Sequence, residues 1–148
     1  PKPKSSEFDV PLVLDLIEGL YLVEKNIIQV TEGTDKKRIN FRTLRSRAQK
    51  MYDEFDIRYA VYRNLREQEL VVTPGVKYGC DFAVYKYGPG AEHAPYMVSV
   101  KDEGSDISAT EIVKAGRLAT TVRKRFIIAV PDPNGKKTRY VIFKWFKA

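Results

Sequence analysis

The chain reads SATEIVKAGRLATTVRKRFIIAV over residues 108–130, and this stretch decides the architecture of the second half. Ser108, followed three residues later by Glu111, is typical of a capping box that starts a helix. The spacing predicts a helix that runs to about Arg125 and buries these apolar residues: Ile112, Val113, Ala115, Leu118 and Val122. Residues 126–130 are then almost continuously apolar, which predicts a central strand that is buried on both faces.

Short strands are predicted before and after this helix and strand in the sequence. Residues 71–73, 82–85 and 96–100 have strand composition, and the second of these runs into the glycine-rich loop at residues 87–90. After a turn at residues 131–135, a last strand is predicted at residues 139–146. The βαβ-like order predicts a mixed sheet.

The first half has helical periodicity instead. A helix is predicted at residues 10–25, with Asp9 as its N-cap and Pro11 in its first turn. A short strand at residues 27–31 and a turn at residues 32–35 follow it. Residues 41–52 predict a basic amphipathic helix whose apolar face carries these residues: Phe41, Leu44, Ala48 and Met51. A further helix is predicted at residues 56–68.

These patterns together predict an α/β (α+β) chain of two domains. Residues 1–70 are interpreted as a small helical or winged-helix-like α/β module, and residues 71–148 as an α/β domain with a mixed sheet. The chain has no run of about 18 apolar residues and no signal-peptide core at its start, so we expect a cytoplasmic protein without a membrane segment. With one cysteine and one histidine among 148 residues, no intrachain disulfide and no zinc site is expected.

Positive charge is concentrated in the second half. Residues 1–70 hold 13 Lys and Arg against 12 Asp and Glu, whereas residues 71–148 hold 13 against 7. The two halves therefore carry +1 and +6. A basic domain of this kind favours a polyanionic partner, with nucleic acid first, although many domains with this balance bind none.

Three residues of the second half have side chains suited to acid–base chemistry on a phosphate. His93, in the loop after residues 82–85, suits a general acid, or is an ordinary surface histidine. Tyr85 suits a base if cations lower its pKa, or is a packing residue, and Tyr87 is its rival. Lys124 suits the stabilisation of phosphate charge, or belongs to a solvated cluster at the end of a helix.

The spacing of these residues resembles the catalytic domain of archaeal tRNA-splicing endonucleases. The resemblance covers residues 56–148 and extends less specifically over residues 8–55, which look like the last part of the family's N-terminal domain, so we expect the chain to begin late. It is carried by these segments: Lys77-Tyr78-Gly79-Cys80-Asp81-Phe82-Ala83-Val84-Tyr85, Gly88-Pro89-Gly90, His93, Tyr96-Met97-Val98, Arg117-Leu118-Ala119 and Val122-Arg123-Lys124.

The resemblance implies a restriction-endonuclease-like catalytic domain with Tyr85, His93 and Lys124 as its triad. It implies no metal or other cofactor, and attack of an RNA 2′-hydroxyl on the adjacent phosphate of a bulge-helix-bulge in precursor tRNA. Arg117 and Arg139 match the arginines that stack on a bulged base. Asp132 matches an acidic contact to another subunit, either in a homo-oligomer or in a heterotetramer with a non-catalytic subunit.

Two alternatives remain open from the residues alone. A metal-dependent nuclease of the restriction-endonuclease-like fold would use Asp81 and Lys101, although Ser99 stands where its second carboxylate should be. A non-catalytic RNA-binding subunit would use residues 41–50 and the basic second half only to hold phosphates.

Overall fold

The computed structural model describes residues 11–121 and 124–143, without the side chains of residues 119–121. The chain forms two compact units that divide between Tyr59 and Ala60. The predicted domains, residues 1–70 and 71–148, stay a prediction. No helix within the described ranges is long and apolar enough to cross a membrane.

The N-terminal unit contains two helices, a strand pair and the start of a third helix. Its elements are α1 (Leu16–Glu24), β1 (Val30–Glu32), β2 (Lys37–Ile39), α2 (Phe41–Met51) and the first turn of α3 (Phe55–Glu67). β1 and β2 pair antiparallel, with Val30 opposite Ile39. Leu20 of α1 and Ala48 of α2 are fully buried, and the rings of Phe55 and Tyr59 stack at 5.9 Å between their centroids.

Three sequence predictions for this unit were wrong in detail. α1 begins at Leu16 because Asp15 forms the capping box: its side chain accepts from Ile17 N at 2.9 Å, and Glu18 accepts from Asp15 N at 2.9 Å. The predicted cap Asp9 lies outside the described residues. β1 begins at Val30 rather than at residue 27, after a turn in which Asn26 adopts a φ of 57°. Met51 is 72% exposed, because α2 ends there and its apolar face ends with Ala48.

The C-terminal unit is built on a five-stranded sheet. Its strands are β3 (Val71–Pro74), β4 (Phe82–Tyr85), β5 (Tyr96–Val100), β6 (Arg125–Pro131) and β7 (Thr138–Ile142), in that spatial order. β5 and β6 are parallel and are joined through α4 (Ala109–Thr121), whereas the other pairs are antiparallel. The predicted mixed sheet and the α+β class are therefore confirmed.

Both faces of this sheet are covered. On one face, a buried cluster joins Ala83, Met97, Phe126 and Ile128 of the strands to Ala115 of α4. On the other face, Phe82, Val98 and Ile127 are buried at paired positions of neighbouring strands. The Phe82 ring contacts the Tyr62 ring of α3, with 5.8 Å between centroids. Because β6 contributes to both faces, the prediction of a central strand at residues 126–130 is confirmed.

Fewer apolar side chains of α4 are buried than its periodicity predicted. Ala115 is fully buried and Leu118 is half-buried, but Ile112 is 51% and Val113 is 62% exposed. Val113 lies about 160° around the axis from Ala115, and Ile112 lies in the first turn, before the buried part. The helix ends at Thr121 and Arg125 already starts β6. Val122 lies outside the described residues, as do residues 144–146 of the predicted last strand.

The capping box of α4 gives a stability prediction. Glu111 accepts from Ser108 N at 3.0 Å, Ser108 Oγ accepts from Glu111 N at 3.2 Å, and Lys101 Nζ lies 2.6 Å from Glu111 Oε1. The Lys101 ammonium is the main cause that lowers the pKa of Glu111 from 4.5 to about 2. A lowered folded-state pKa contributes stability above the unfolded-state value, and this contribution is lost as pH falls through about 2.

We therefore expect Glu111→Gln to lower the free energy of unfolding at pH 7 by about 1 kcal/mol. The deficit should shrink between pH 4.5 and pH 2, where the wild-type carboxylate becomes protonated. Denaturant unfolding at several pH values checks this, with Asp106→Asn as the control because Asp106 is an exposed carboxylate just before α4. A deficit that stays constant down to pH 2 would contradict the assignment.

Candidate active site

Three neighbouring strands bring the predicted catalytic residues to one edge of the sheet. Tyr85 is the last residue of β4, His93 stands shortly before β5, and Lys124 comes directly before β6. Tyr96 pairs with Val84 on one side and with Arg125 on the other. Since paired backbones lie about 5 Å apart, the three residues belong to one local surface.

Lys124 is held in place at this edge. Its Nζ donates to the carbonyl oxygen of Ala94 at 2.7 Å and lies 5.0 Å from the centroid of the Tyr78 ring. Its backbone N–H donates to Leu118 O at 3.1 Å, and the N–H of Arg125 donates to Pro95 O at 2.9 Å. The ammonium therefore lies beside the Ala94–Pro95 peptide, one residue after His93.

Tyr85 and Tyr87 differ in how firmly they are held. Tyr85 is half-buried and packs against the buried cluster on the α4 face of the sheet. Tyr87 lies beyond the strand and is 79% exposed. Of the two tyrosines that the sequence left open, Tyr85 has the more fixed ring and stands at the strand edge itself.

His93 is an exposed residue between two anchored neighbours. On one side, the Glu92 carboxylate accepts from Tyr87 N at 2.6 Å and also from Lys86 N. On the other side, Ala94 is 3% exposed and its carbonyl binds Lys124. Sequence reasoning did not single out Glu92, because a carboxylate that bonds to loop amides leaves no periodic signal. Nor did it assign Tyr78 a role.

Of the two proposed arginines, Arg139 lies away from this edge of the sheet within one chain. Arg139 pairs with Val130, five residues along β6 from Arg125, which is about 17 Å at 3.3 Å per residue. Its Nη2 lies 2.5 Å from Glu103 Oε1 in an exposed ion pair. Arg117 is exposed on α4, and the carbonyl of the next residue, Leu118, accepts from Lys124 N at 3.1 Å.

Asp132 shapes its own turn between β6 and β7. Its Oδ1 accepts from Lys136 N at 2.7 Å and from Lys137 N at 3.2 Å, and its backbone carbonyl accepts from Gly135 N at 2.9 Å. The carbonyl of Gly135 accepts in turn from Arg63 Nη2 of α3 at 2.9 Å. The turn is therefore an ordered feature, and Oδ1 of Asp132 is engaged within it.

The residues of the metal-dependent alternative have other partners. Asp81 Oδ2 accepts from Val100 N at 2.8 Å, and Lys101 pairs with Glu111. Across the described ranges, no group of three or more His, Cys, Asp or Glu side chains could hold a metal ion. Burial raises the pKa of the Cys80 thiol to about 11, so this sulfur is a packing group.

The basic helix of the non-catalytic alternative is partly neutralised. Arg45 pairs with Asp56 at 2.9 Å, and Arg47 pairs with Glu32 at 2.7 Å. The hydrogen bond from Arg47 is the main cause that lowers the pKa of Glu32. Arg42 and Lys50 remain exposed on α2.

Comparison with known proteins places both parts of the chain in one family. Residues 55–140 match the model of the tRNA intron endonuclease catalytic C-terminal domain. Residues 2–45 match the model of the tRNA intron endonuclease N-terminal domain. The first match contains Tyr85, His93 and Lys124.

Similar proteins come from archaea. The chain is 46% identical to a tRNA-splicing endonuclease of Hyperthermus butylicus over 147 residues, which are 99% of this chain and 81% of that protein. It is 44% identical to the tRNA-splicing endonuclease of Sulfurisphaera tokodaii, with the same coverage. A tRNA-splicing endonuclease of Saccharolobus islandicus is 42% identical over 99% of this chain and 80% of its own length. The chain therefore belongs to the tRNA intron endonuclease family and is an enzyme of that family.

Proposed function

We propose that this enzyme excises introns from precursor tRNA by a metal-independent cleavage at bulge-helix-bulge motifs. The observation that carries the proposal is the hydrogen bond from Lys124 Nζ to the carbonyl oxygen of Ala94, the residue after His93. This bond lies at the edge of the sheet where β4 ends with Tyr85. Family membership supplies the substrate class, and this edge supplies side chains suited to phosphate chemistry.

The proposed reaction is an attack of the RNA 2′-hydroxyl on its own 3′-phosphate. Tyr85 Oη takes the proton of the 2′-hydroxyl, and the 2′-oxygen forms a bond to phosphorus. The bond from phosphorus to the 5′-oxygen breaks, and His93 donates a proton to that leaving oxygen. The products are a 2′,3′-cyclic phosphate and a 5′-hydroxyl.

Lys124 would stabilise the charge that grows on the non-bridging phosphate oxygens. An ammonium that is already fixed by Ala94 and Tyr78 needs little reorganisation during the reaction, which is what makes such a group effective. The exposure of His93 is consistent with a group that must reach a bound RNA. Arg125, whose guanidinium lies 5.8 Å from the Tyr96 ring centroid, adds positive charge at the same edge.

Recognition of the bulged base would use Arg117 and Arg139. A base stacked by Arg139 of the same chain would lie on the order of 17 Å from the strand edge. We therefore propose that the Arg139 that stacks on a bulged base and the catalytic edge that cuts next to that base belong to different copies of the chain. This fits an assembly of several chains, either a homo-oligomer or a heterotetramer with a non-catalytic partner, with the turn of Asp132 as a subunit contact. Native mass measurement distinguishes the two assemblies.

The substrate proposal is tested with two RNAs that differ only in their bulges. The chain, with any partner subunit that it requires, should cut an RNA with a bulge on each side of a short helix and leave a fully paired version intact. Shape-selective recognition of splayed bases predicts this difference. Equal cleavage of both RNAs, or of neither, would overturn the proposal.

The choice of Tyr85 over Tyr87 gives a paired prediction. Tyr85→Phe removes only the hydroxyl and should slow single-turnover cleavage by about 100-fold, within the range for a lost general base. Tyr87→Phe, at an exposed position, should cleave at the wild-type rate. If Tyr87→Phe is the slow variant, the base is assigned to the wrong tyrosine.

A further inference from the structure

We propose that Glu92 is a positioning residue that fixes His93 for proton donation to the leaving oxygen. This inference rests on the proposed function, since it assigns a second side chain to the same site. Glu92 acts through the loop backbone in this proposal and does not touch the RNA. Neither the family resemblance nor the periodicity of the sequence singled it out.

The first step of the argument is the set of bonds that Glu92 makes. One carboxylate oxygen, Oε1, accepts the N–H groups of both Lys86 and Tyr87. These amides directly follow Tyr85, the last residue of β4. The side chain of Glu92, the residue before His93, is thereby hydrogen-bonded to the backbone directly after β4.

The second step is that the loop of residues 86–92, which the Glu92 bonds close, needs such a restraint. Gly88 and Gly90 have φ values of 99° and 87°, in the left-handed region that glycine enters readily. The N–H groups of Ala91 and Glu92 both donate to Gly88 O at 3.3 Å, which is a long distance. A loop with two glycines has many alternative conformations in the absence of other restraints.

The third step is the position of His93 itself. Its side chain is exposed, so packing does not orient it, and its direction depends on the backbone on either side. Ala94 is fixed by burial and by the bond from Lys124 Nζ at 2.7 Å. Glu92 is the corresponding anchor on the other side. Loss of either anchor would let the imidazole move away from the leaving oxygen.

Two substitutions separate positioning from other roles of a carboxylate. Glu92→Ala removes both loop bonds and should lower the single-turnover rate by about 100-fold, the cost of a displacement of about 1 Å at a reacting group. Its affinity for the RNA should change less than threefold. Glu92→Gln keeps an acceptor oxygen and should retain at least a third of the wild-type rate. A Gln variant as slow as the Ala variant would contradict the proposal.

An RNA with sulfur in place of the 5′-bridging oxygen provides a readout that a merely structural role would not change. A thiolate has a low proton affinity and leaves without help from a general acid. Both Glu92→Ala and His93→Ala should therefore regain rates within about threefold of wild type on this RNA. If Glu92→Ala stays 100-fold slow on it, Glu92 does not act through His93 and the proposal fails.

The double variant and a matched control complete the experiment. Glu92→Ala combined with His93→Ala should cleave the oxygen RNA no more slowly than His93→Ala alone, because both changes remove the same proton donor. Asp106→Ala, at an exposed carboxylate outside the loop, should match the wild type. If wild-type protein cuts neither RNA, the proposed function fails. If wild type cuts the oxygen RNA and Glu92→Ala is equally fast, only this inference fails.

Discussion

Replacing His93 with alanine is expected to slow cleavage of a bulge-helix-bulge RNA by about 10²- to 10⁴-fold, the usual contribution of a general acid. The affinity for the RNA should stay within about threefold of wild type, because one exposed imidazole contributes little to binding a polyanion. Single-turnover kinetics and a binding titration measure the two quantities separately.

The position of His93 makes this variant easy to interpret. Its side chain is exposed, so its removal leaves no cavity and should not change the unfolding midpoint. The matched control is Tyr87→Ala, which truncates another exposed side chain in the same loop and should keep nearly full activity. Cleavage by the His93 variant at more than a tenth of the wild-type rate would show that another group donates the proton.

Replacing Lys124 with methionine is the second large effect that we expect. Methionine keeps an apolar stem against the Tyr78 ring but removes the ammonium, so cleavage should fall by about 10²- to 10³-fold, as for other preorganised groups that stabilise an oxyanion. Unlike the His93 variant, this one should stay slow on the RNA with a sulfur leaving group, because phosphate charge still develops there.

A second lysine of the same region provides the matched control. Lys114 of α4 also donates its Nζ to a backbone carbonyl, but this is the carbonyl of Gly79 and not one in the loop that carries His93. Lys114→Met should therefore cleave at close to the wild-type rate. Equal loss of activity in both variants would mean that the loss of any lysine from this region, rather than the specific charge of Lys124, explains the defect.

The sequence predicted the strands of the C-terminal unit well because their burial is visible in composition. β4 and β5 were predicted with their observed bounds, and β6 was recognised from residues 126–130, whose apolar run reflects burial on both faces. Helix starts were harder. Asp9 and Asp15 are both candidate N-caps in the sequence, and the bonds of Asp15 with Ile17 N and with the Glu18 carboxylate show that α1 starts at the second.

The exposed apolar residues of α4 could not be predicted from the sequence either. Periodicity shows that an apolar stripe exists but not how much of it the sheet covers. The sheet covers Ala115 and leaves Ile112 and Val113 exposed. That information lies in the tertiary arrangement and not in the helix.

The candidate site could be predicted only in part from its residues. Tyr85, His93 and Lys124 are up to 39 positions apart in the sequence, and each alone fits an ordinary surface or packing role. The resemblance grouped them, and sheet order gives the physical reason: the end of β4 and the starts of β5 and β6 are neighbours. The roles of Glu92 and Tyr78 depend on side-chain contacts that form only in the folded loop.

The most direct measurement is the chemistry of the RNA ends after cleavage in excess EDTA. The chain, with any required partner subunit, should cut precursor tRNA at its bulges and leave a 2′,3′-cyclic phosphate on one fragment and a 5′-hydroxyl on the other. These ends arise only if the 2′-oxygen attacks the phosphate. Fragments with a 3′-hydroxyl and a 5′-phosphate, or cleavage that stops when EDTA is added and resumes with Mg²⁺, would contradict the proposed roles of Tyr85, His93 and Lys124.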